Sequence, residues 1–168
     1  MNFVVQMKCV FAGGSQAGQI GLLTLPALGW DVECVISYDR GMDILAGELR
    51  IPVRHSYKET LPYRSDLQVS VNAKEVLSQE FLDRFPLGGV NVHPCLYLCP
   101  GRNPVERFVD MNLDMASVGI HRMTAEVDVG EVLCELKIDI RGERDPERIY
   151  NKLYQFYPIV MARGLDKL

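Results

Sequence analysis

Several things are missing from this 168-residue sequence. No apolar run approaches the ~20 residues that a membrane span needs, so no membrane partner is expected. No cluster of Lys and Arg occurs and no aromatic residues interleave with basic ones. With a net charge of -4, that argues against a broad nucleic-acid surface. Internal repeats, low-complexity tracts and linkers are absent, so residues 1–168 are expected to form a single domain. The opening MNFVVQMKCVFAGG has no basic leader region and reads as a first strand rather than an export signal. A cytoplasmic location is the corresponding expectation. The five cysteines, Cys9, Cys34, Cys95, Cys99 and Cys134, form no CxxC pair and read as free thiols. Cys95 and Cys99 lie close to His93, but a fourth ligand at a regular spacing is lacking, so no metal is expected.

The residues present are those of an ordinary globular chain, 48% hydrophobic and 24% charged. A chain of this size buries roughly 70% of its extended surface on folding, enough for a full core without staples. Phe3 to Phe11 reads as a buried strand that ends at Gly13-Gly14. Ser15 is placed to cap a helix running to about Leu28, with Pro26 disturbing its last turn. Strands are expected at Val32–Ser37, Pro52–Arg54 and Leu67–Val71, with a short helix over 43–49 and a polar loop over 55–66. Ser78 is placed to cap a helix carrying Phe81 and Leu82. Gly89 to Val92 forms a short strand that runs into His93-Pro94. Pro104 suits the first turn of a helix reaching about Met111. Ser117–Met123 and Val132–Ile140 alternate as strands, with Asp128-Val129-Gly130 as the turn between them. Asp145-Pro146 opens a last helix whose apolar residues Ile149, Leu153, Phe156, Ile159 and Val160 recur at helical spacing. Alternating strands and helices followed by a hairpin-like pair indicate an α/β sheet with a mixed late portion.

Three polar signals stand out. Asn91 and His93 are two apart in a strand and point to the same side, at a strand end, where open α/β sheets place their sites. Asp128 sits in a tight turn before Gly130, and His121 lies on the strand leading to that turn. Each has a plain structural explanation: an Asn bonding to a loop backbone, a structural His before Pro, an Asp-x-Gly turn.

Taken in order, Asn91-Val92-His93-Pro94, Asn103-Pro104, Ser117 to Met123 and Val127 to Leu133 resemble the folate-dependent formyltransferase family. That family includes glycinamide ribonucleotide formyltransferase, methionyl-tRNA formyltransferase and the sugar N-formyltransferases. Its pattern is an N-x-H-P segment, a G-x-x-H segment and a D-x-G segment, and the likeness is strongest over residues 67–135. It implies a Rossmann-like, mostly parallel twisted sheet flanked by helices, with an antiparallel C-terminal portion. It also implies that 10-formyltetrahydrofolate gives its formyl group to a primary amine of a small acceptor, with no metal. Asn91, His93 and Asp128 match the catalytic trio and His121 a supporting position. The segment of Asn72, Glu75, Val76 and Leu77 matches one side of the folate pocket, and Met123 and Val127 match the other. In the plainer reading, Val76 and Leu77 are core residues at a strand-to-helix junction. Gly13, Gly14, Ser15 and Gln16 loosely match a phosphate-binding loop; an ordinary tight turn is the alternative, although N–H groups before a helix can bind a phosphate.

The chemistry suits these residue types. Attack by the amine builds charge on the formyl oxygen, to which Asn91 and a protonated His93 can donate; one such donor is typically worth ~3–4 kcal/mol in the transition state. Asp128 can hold a water that relays a proton to the leaving nitrogen. Cys95 is discounted as a nucleophile, since the family usually has another small residue there. The stretch Cys95 to Gly101 departs from the family pattern, so its acceptor contacts are open. Among acceptors, an amino-sugar nucleotide ranks first, because of the His121-Arg122-Met123 segment. Glycinamide ribonucleotide ranks second. Methionyl-tRNA ranks lower, because its enzymes carry a further C-terminal domain and this chain is acidic. Hydrolysis of the formyl donor, or folate or nucleotide binding without turnover, are the remaining alternatives. The last helix and the 132–140 strand could pack internally or across a homodimer.

Overall fold

The computed structural model describes residues 6–168. Its first strand, β1 (Lys8–Gly13), is buried on both faces: Cys9, Val10, Phe11 and Ala12 are all within 1% of full burial. Such a continuous apolar run is what a strand covered on both faces requires. The predicted strand began at Phe3; the observed one begins at Lys8, and residues 3–5 lie outside the described residues. Contacts divide the chain into two compact units, one ending at Gly89 and one spanning Val90–Leu168.

In the first unit, β1 pairs in parallel with β2 (Asp31–Ser37) on one side and β4 (Leu67–Val71) on the other. The two-residue β3 (Val53–Arg54) pairs in parallel with β2. Helix α1 (Ser15–Ala27) covers the face carrying Phe11 and Val71. A side chain at Gly21 would lie 2.7 Å from Val71 Cγ2, so the glycine sets the closeness of that packing. Helix α2 (Arg40–Glu48) starts earlier than the sequence suggested, because Asp39 caps it by accepting from Met42 N at 2.9 Å. The predicted loop at 55–66 contains a short 3-10 turn at Tyr57–Thr60, capped by Ser56. Ser78 caps α3 (Gln79–Leu82), which is only one turn long.

The expectation that Ser15 caps α1 is corrected. Gly14 is the capping residue, with extended backbone, and Ser15 is already the first helical residue, with φ +58°. Its amide donates to the Asp39 carboxylate instead.

The second unit is an antiparallel sheet. Strand β5 (Gly89–Pro94) pairs with β6 (Met115–Arg122), and β6 with β7 (Val132–Asp139). Asn91 stands opposite His121, and His93 opposite Gly119, which stands opposite Glu135. Cross-strand neighbours share a face, so polar residues line one side. The other side carries Val118 and Ile120, both fully buried. Helix α4 (Pro104–Asp110) begins at Pro104, where the missing N–H costs nothing.

The single last helix expected from the sequence is two helices, α5 (Pro146–Tyr154) and α6 (Tyr157–Leu165). Pro158 is the cause: it has no N–H to continue the ladder and is tolerated only in a first turn. The break shifts the apolar register. Ile159, expected in the core, is 44% exposed, while Tyr157, Val160, Met161, Gly164 and Leu165 are buried. A side chain at Gly164 would lie 2.1 Å from Ile120 Cγ2, so this glycine lets α6 approach β6 closely.

The β6–β7 connection closes just as tightly. Arg122 N donates to Glu131 O at 2.8 Å, and a Cβ at Gly130 would lie 1.8 Å from Arg122 O. Gly130→Ala should therefore force the connection open and lower Tm by roughly 5–10 °C. Thermal unfolding measures this; an unchanged Tm would contradict the close approach.

Candidate active site

The polar face of the second unit gathers three side chains and one backbone amide around the Asp128 carboxylate. Asp128 lies in the β6–β7 connection with φ +57°, a conformation that Asp tolerates better than most residues. Its side chain is 6% exposed. Oδ2 lies 3.1 Å from His93 Nε2 and accepts from Gly101 N at 2.8 Å. Oδ1 accepts from Asn91 Nδ2 at 3.2 Å and lies 3.3 Å from His121 Nε2. Burial alone would raise this carboxyl's pKa. The hydrogen bonds from His121 and His93, the charge of His93 and the Gly101 N–H outweigh it and hold Asp128 well below the usual carboxylate range. It is a buried group that is ionised at neutral pH.

The partners fix the proton positions. His93 Nε2 faces two acceptors, Asp128 Oδ2 and Gly101 O at 3.0 Å, so Nε2 carries a hydrogen. His93 Nδ1 is buried and has no partner. His121 Nδ1 lies 2.8 Å from Arg122 O and donates to it. When His121 is neutral, its Nε2 accepts the second hydrogen of Asn91 Nδ2, at 3.3 Å; when charged, it donates to Asp128.

This differs from the sequence expectation in one respect. Asn91 is expected to offer its N–H to a substrate oxygen, yet Asp128 Oδ1 takes one amide hydrogen and a neutral His121 Nε2 takes the other. Donation to a substrate therefore requires Asn91 to exchange one of these partners. Gly101 was not foreseen at all. Its contacts run through the backbone, which leaves no mark in residue type beyond the Pro100-Gly101 turn.

Met123 is half-buried and Val127 is 52% exposed, on the same connection as Asp128; Val129, next to Asp128, is 56% exposed. Cys95 is buried, and burial pushes its thiol up to about 11; burial also raises the Cys99 thiol. Neither is an activated nucleophile.

The remaining candidates lie in the first unit. Asn72, at φ +56°, donates from Nδ2 to Ser15 Oγ at 2.9 Å and to Gly14 O at 3.3 Å, so it ties the two predicted binding segments together. Glu75 accepts from Tyr38 OH, Ser56 Oγ and Tyr57 N at 3.1, 2.9 and 3.1 Å, so protein donors already occupy its carboxylate. Leu77 is buried, as a core residue would be. Val76 is 66% exposed, which corrects its reading as a core residue. Gly13 is buried, and Gln16 is exposed beside the start of α1. At that helix end, Asp39 occupies the position an anion would take: its carboxylate accepts from Ser15 N and Met42 N, and the Ser15, Met42 and Gly41 amides hold its pKa down.

The sequence pattern of the family described as "Formyl transferase" matches residues 53–165, well over half of the chain. The chain belongs to this formyl transferase family, and its fold is that of the family's solved members. The methionyl-tRNA formyltransferase of Borreliella burgdorferi (strain ZS7) is 30% identical over 105 residues, covering 61% of this chain and 33% of that protein. The methionyl-tRNA formyltransferase of Herminiimonas arsenicoxydans is 23% identical over 193 residues, covering 96% and 60%. The alignments with curated relatives from Borrelia recurrentis and Borrelia turicatae span only 25% and 26% of those proteins. Among solved structures, glycinamide ribonucleotide transformylase 1 from Symbiobacterium toebii aligns at TM-score 0.84 and 16% identity, covering 98% of this chain and 89% of that one. A formyltetrahydrofolate deformylase from Pseudomonas syringae pv. tomato str. DC3000 aligns at 0.80 and 18%, covering 96% and 61%. Among the described residues, no helix is long and apolar enough to cross a membrane.

Proposed function

We propose that this protein transfers the formyl group of 10-formyltetrahydrofolate to a primary amine, with Asn91, His93 and Asp128 as the reacting-centre residues. The observation that carries this reading is Asp128, ionised and buried between His93 and His121 with Asn91 on the same oxygen as His121. The donor supplies a formyl carbon on a nitrogen that can leave. His93 presents its Nε2 N–H toward an oxygen gaining charge once that hydrogen turns from Gly101 O and Asp128 Oδ2 to the substrate. Asn91 adds a second N–H after exchanging a partner. Asp128 stabilises the protonated imidazole and can hold a water that relays the proton lost by the attacking amine to the leaving folate nitrogen. Met123 and Val127, on the connection that carries Asp128, are proposed donor-binding positions, and Asn72 and Leu77 remain proposed ones as well. Glu75, with its carboxylate already bonded, supports that segment rather than touching the donor.

For the acceptor we propose an amino-sugar nucleotide first. The relatives named methionyl-tRNA formyltransferase support an aminoacyl-tRNA amine as the second reading. The decisive assay follows tetrahydrofolate release from 10-formyltetrahydrofolate with each amine, with glycinamide ribonucleotide, and with water alone. Release that depends on an amine is expected. Release with water alone would make the protein a hydrolase, and saturable folate binding without release would make it a binding module.

The Asp39 carboxylate bears on this choice. A phosphate seated at Gly13 to Gln16 would meet a fixed negative charge. Asp39→Asn keeps the helix cap but removes the charge, and should lower KM for a phosphomonoester acceptor such as glycinamide ribonucleotide by about tenfold. Steady-state kinetics of both forms test this; an unchanged KM would mean that no phosphate approaches this helix end.

A further inference from the structure

Glu135 makes contacts that the proposed chemistry does not use. It stands on β7 across from Gly119, which stands across from His93, so it occupies the same level of the polar face. Its Oε1 accepts from Ser117 Oγ at 2.7 Å and from the Tyr97 amide at 3.1 Å. Ser117 is fully buried, so its hydroxyl needs a partner. The Tyr97 amide belongs to the segment that leaves β5 and folds back over the polar face.

That segment is pinned at successive points. Cys95 turns out of the strand at φ +53°, and its amide donates to Ser117 O at 2.7 Å. Leu96 fills the space above Gly119, where a Cβ would lie 2.6 Å from Leu96 Cδ2. Tyr97 is bonded to Glu135, and its ring lies 5.0 Å from Lys137 Nζ. Pro100 O accepts from Arg107 Nη1 at 2.7 Å. The next residue is Gly101, whose N–H and C=O meet Asp128 and His93. The Cys95 and Leu96 pins are a backbone bond and packing, while the others run to side chains. The Glu135 contact is a side-chain acceptor that can be removed without altering the segment itself.

We propose that Glu135 is a positioning residue: through Ser117 and the Tyr97 amide it sets the path of residues 95–101 and thereby seats Gly101 on His93 and Asp128. The inference rests on the reading of the Asp128 cluster as the reacting centre. Gly101 N–H holds Asp128 Oδ2, which lies 3.1 Å from His93 Nε2, so the position of this segment sets how well the His93–Asp128 pair is seated for the reaction.

The test compares wild type, Glu135→Ala and Glu135→Gln by three readouts: trypsin cleavage after the exposed Arg102, the NMR signal of the His93 ring, and steady-state kinetics. Removing one hydrogen-bond acceptor should speed cleavage after Arg102 and lower kcat by about tenfold each, with the donor KM little changed. It should also shift the His93 ring signal. Glu135→Gln retains an acceptor oxygen and should restore all three. An Ala variant with wild-type cleavage and an unmoved His93 signal would overturn the proposal, as would a Gln variant that behaves like Ala. If the Ala variant does not fold, amide exchange in the wild type decides: a Tyr97 amide that exchanges as an open one also overturns it. Cleavage and ring signals that respond as expected in a protein without formyl transfer would sink the catalytic reading while supporting the positioning role.

Discussion

Asp128→Asn should lower kcat for formyl transfer by roughly 10²–10⁴-fold, the range typical of a positioned acid–base group, in a protein that still folds. The replacement keeps the shape and removes the charge. Asp128 Oδ1 and Oδ2 together face Asn91, His93, His121 and the Gly101 amide. An uncharged amide cannot accept from all of these, and its own NH₂ would confront one of the donors. A protonated His93 then loses the anion that stabilises it, and the water that relays the amine's proton loses its anchor. The same substitution has a consequence for stability. The carboxyl's pKa is depressed on folding, so Asp128 stabilises the fold fully above the unfolded value of about 3.9. That contribution fades as pH falls below it toward the folded value. Denaturant unfolding between pH 2 and 6 should show a shallower loss of stability on the acid side for Asp128→Asn than for wild type. Equal slopes would mean that the carboxylate is not held by its neighbours. Wild-type kcat in a folded variant would remove Asp128 from the mechanism.

His93→Ala should lower kcat by roughly 10²–10³-fold, the effect of losing one preorganised donor aimed at a developing oxyanion. The donor KM should change little, because the imidazole acts on charge that appears only in the transition state. The geometry gives this prediction a particular form. His93 Nε2 is the protonated nitrogen and Asp128 is its counter-ion. Adding the Asp128 substitution to His93→Ala should therefore cost far less than the product of the two single effects, because each has already broken the same pair. Steady-state kinetics of the two single variants and the double variant measure this. Independent, multiplying losses would contradict a shared role, and a His93→Ala protein with raised KM and normal kcat would make His93 a binding residue.

Much of the site was legible because strand periodicity is rigid. Asn91 and His93 are two apart on β5, and the antiparallel ladder then sets His121 opposite Asn91. Asp128 was legible only through its neighbour: Gly130 marks a turn so tight that no side chain fits beneath Arg122 O. The left-handed backbone that aims the carboxylate has no signature in an Asp alone. Gly101 could not be found from residue type, because it acts through its peptide groups. Nor did the sequence reveal that Asn91's hydrogens are already engaged, since that depends on three chain segments meeting.

The fold shows the same division. Strand β4 spans the predicted residues, because an apolar run between loop residues has few alternatives. The last helix was mistaken for one element because its apolar spacing runs on through Pro158, where the chain breaks and a new register begins at Tyr157. Ser15 reads as a cap because a serine before a helix usually is one; in the structure Asp39, distant in sequence, takes its amide. Local pattern identifies elements, while partners supplied from elsewhere in the chain decide how they end.

Movement of a formyl carbon from a folate to an amine at the Asp128 cluster is the reaction proposed for this chain. The direct measurement is ¹³C NMR of the purified protein with donor labelled at the formyl carbon and a panel of amino-sugar nucleotides. The account predicts a new formamide resonance that grows with wild type and is lost with Asp128→Asn. Label that stays on the folate with every amine, or a formamide that forms equally with the substituted protein, would contradict it.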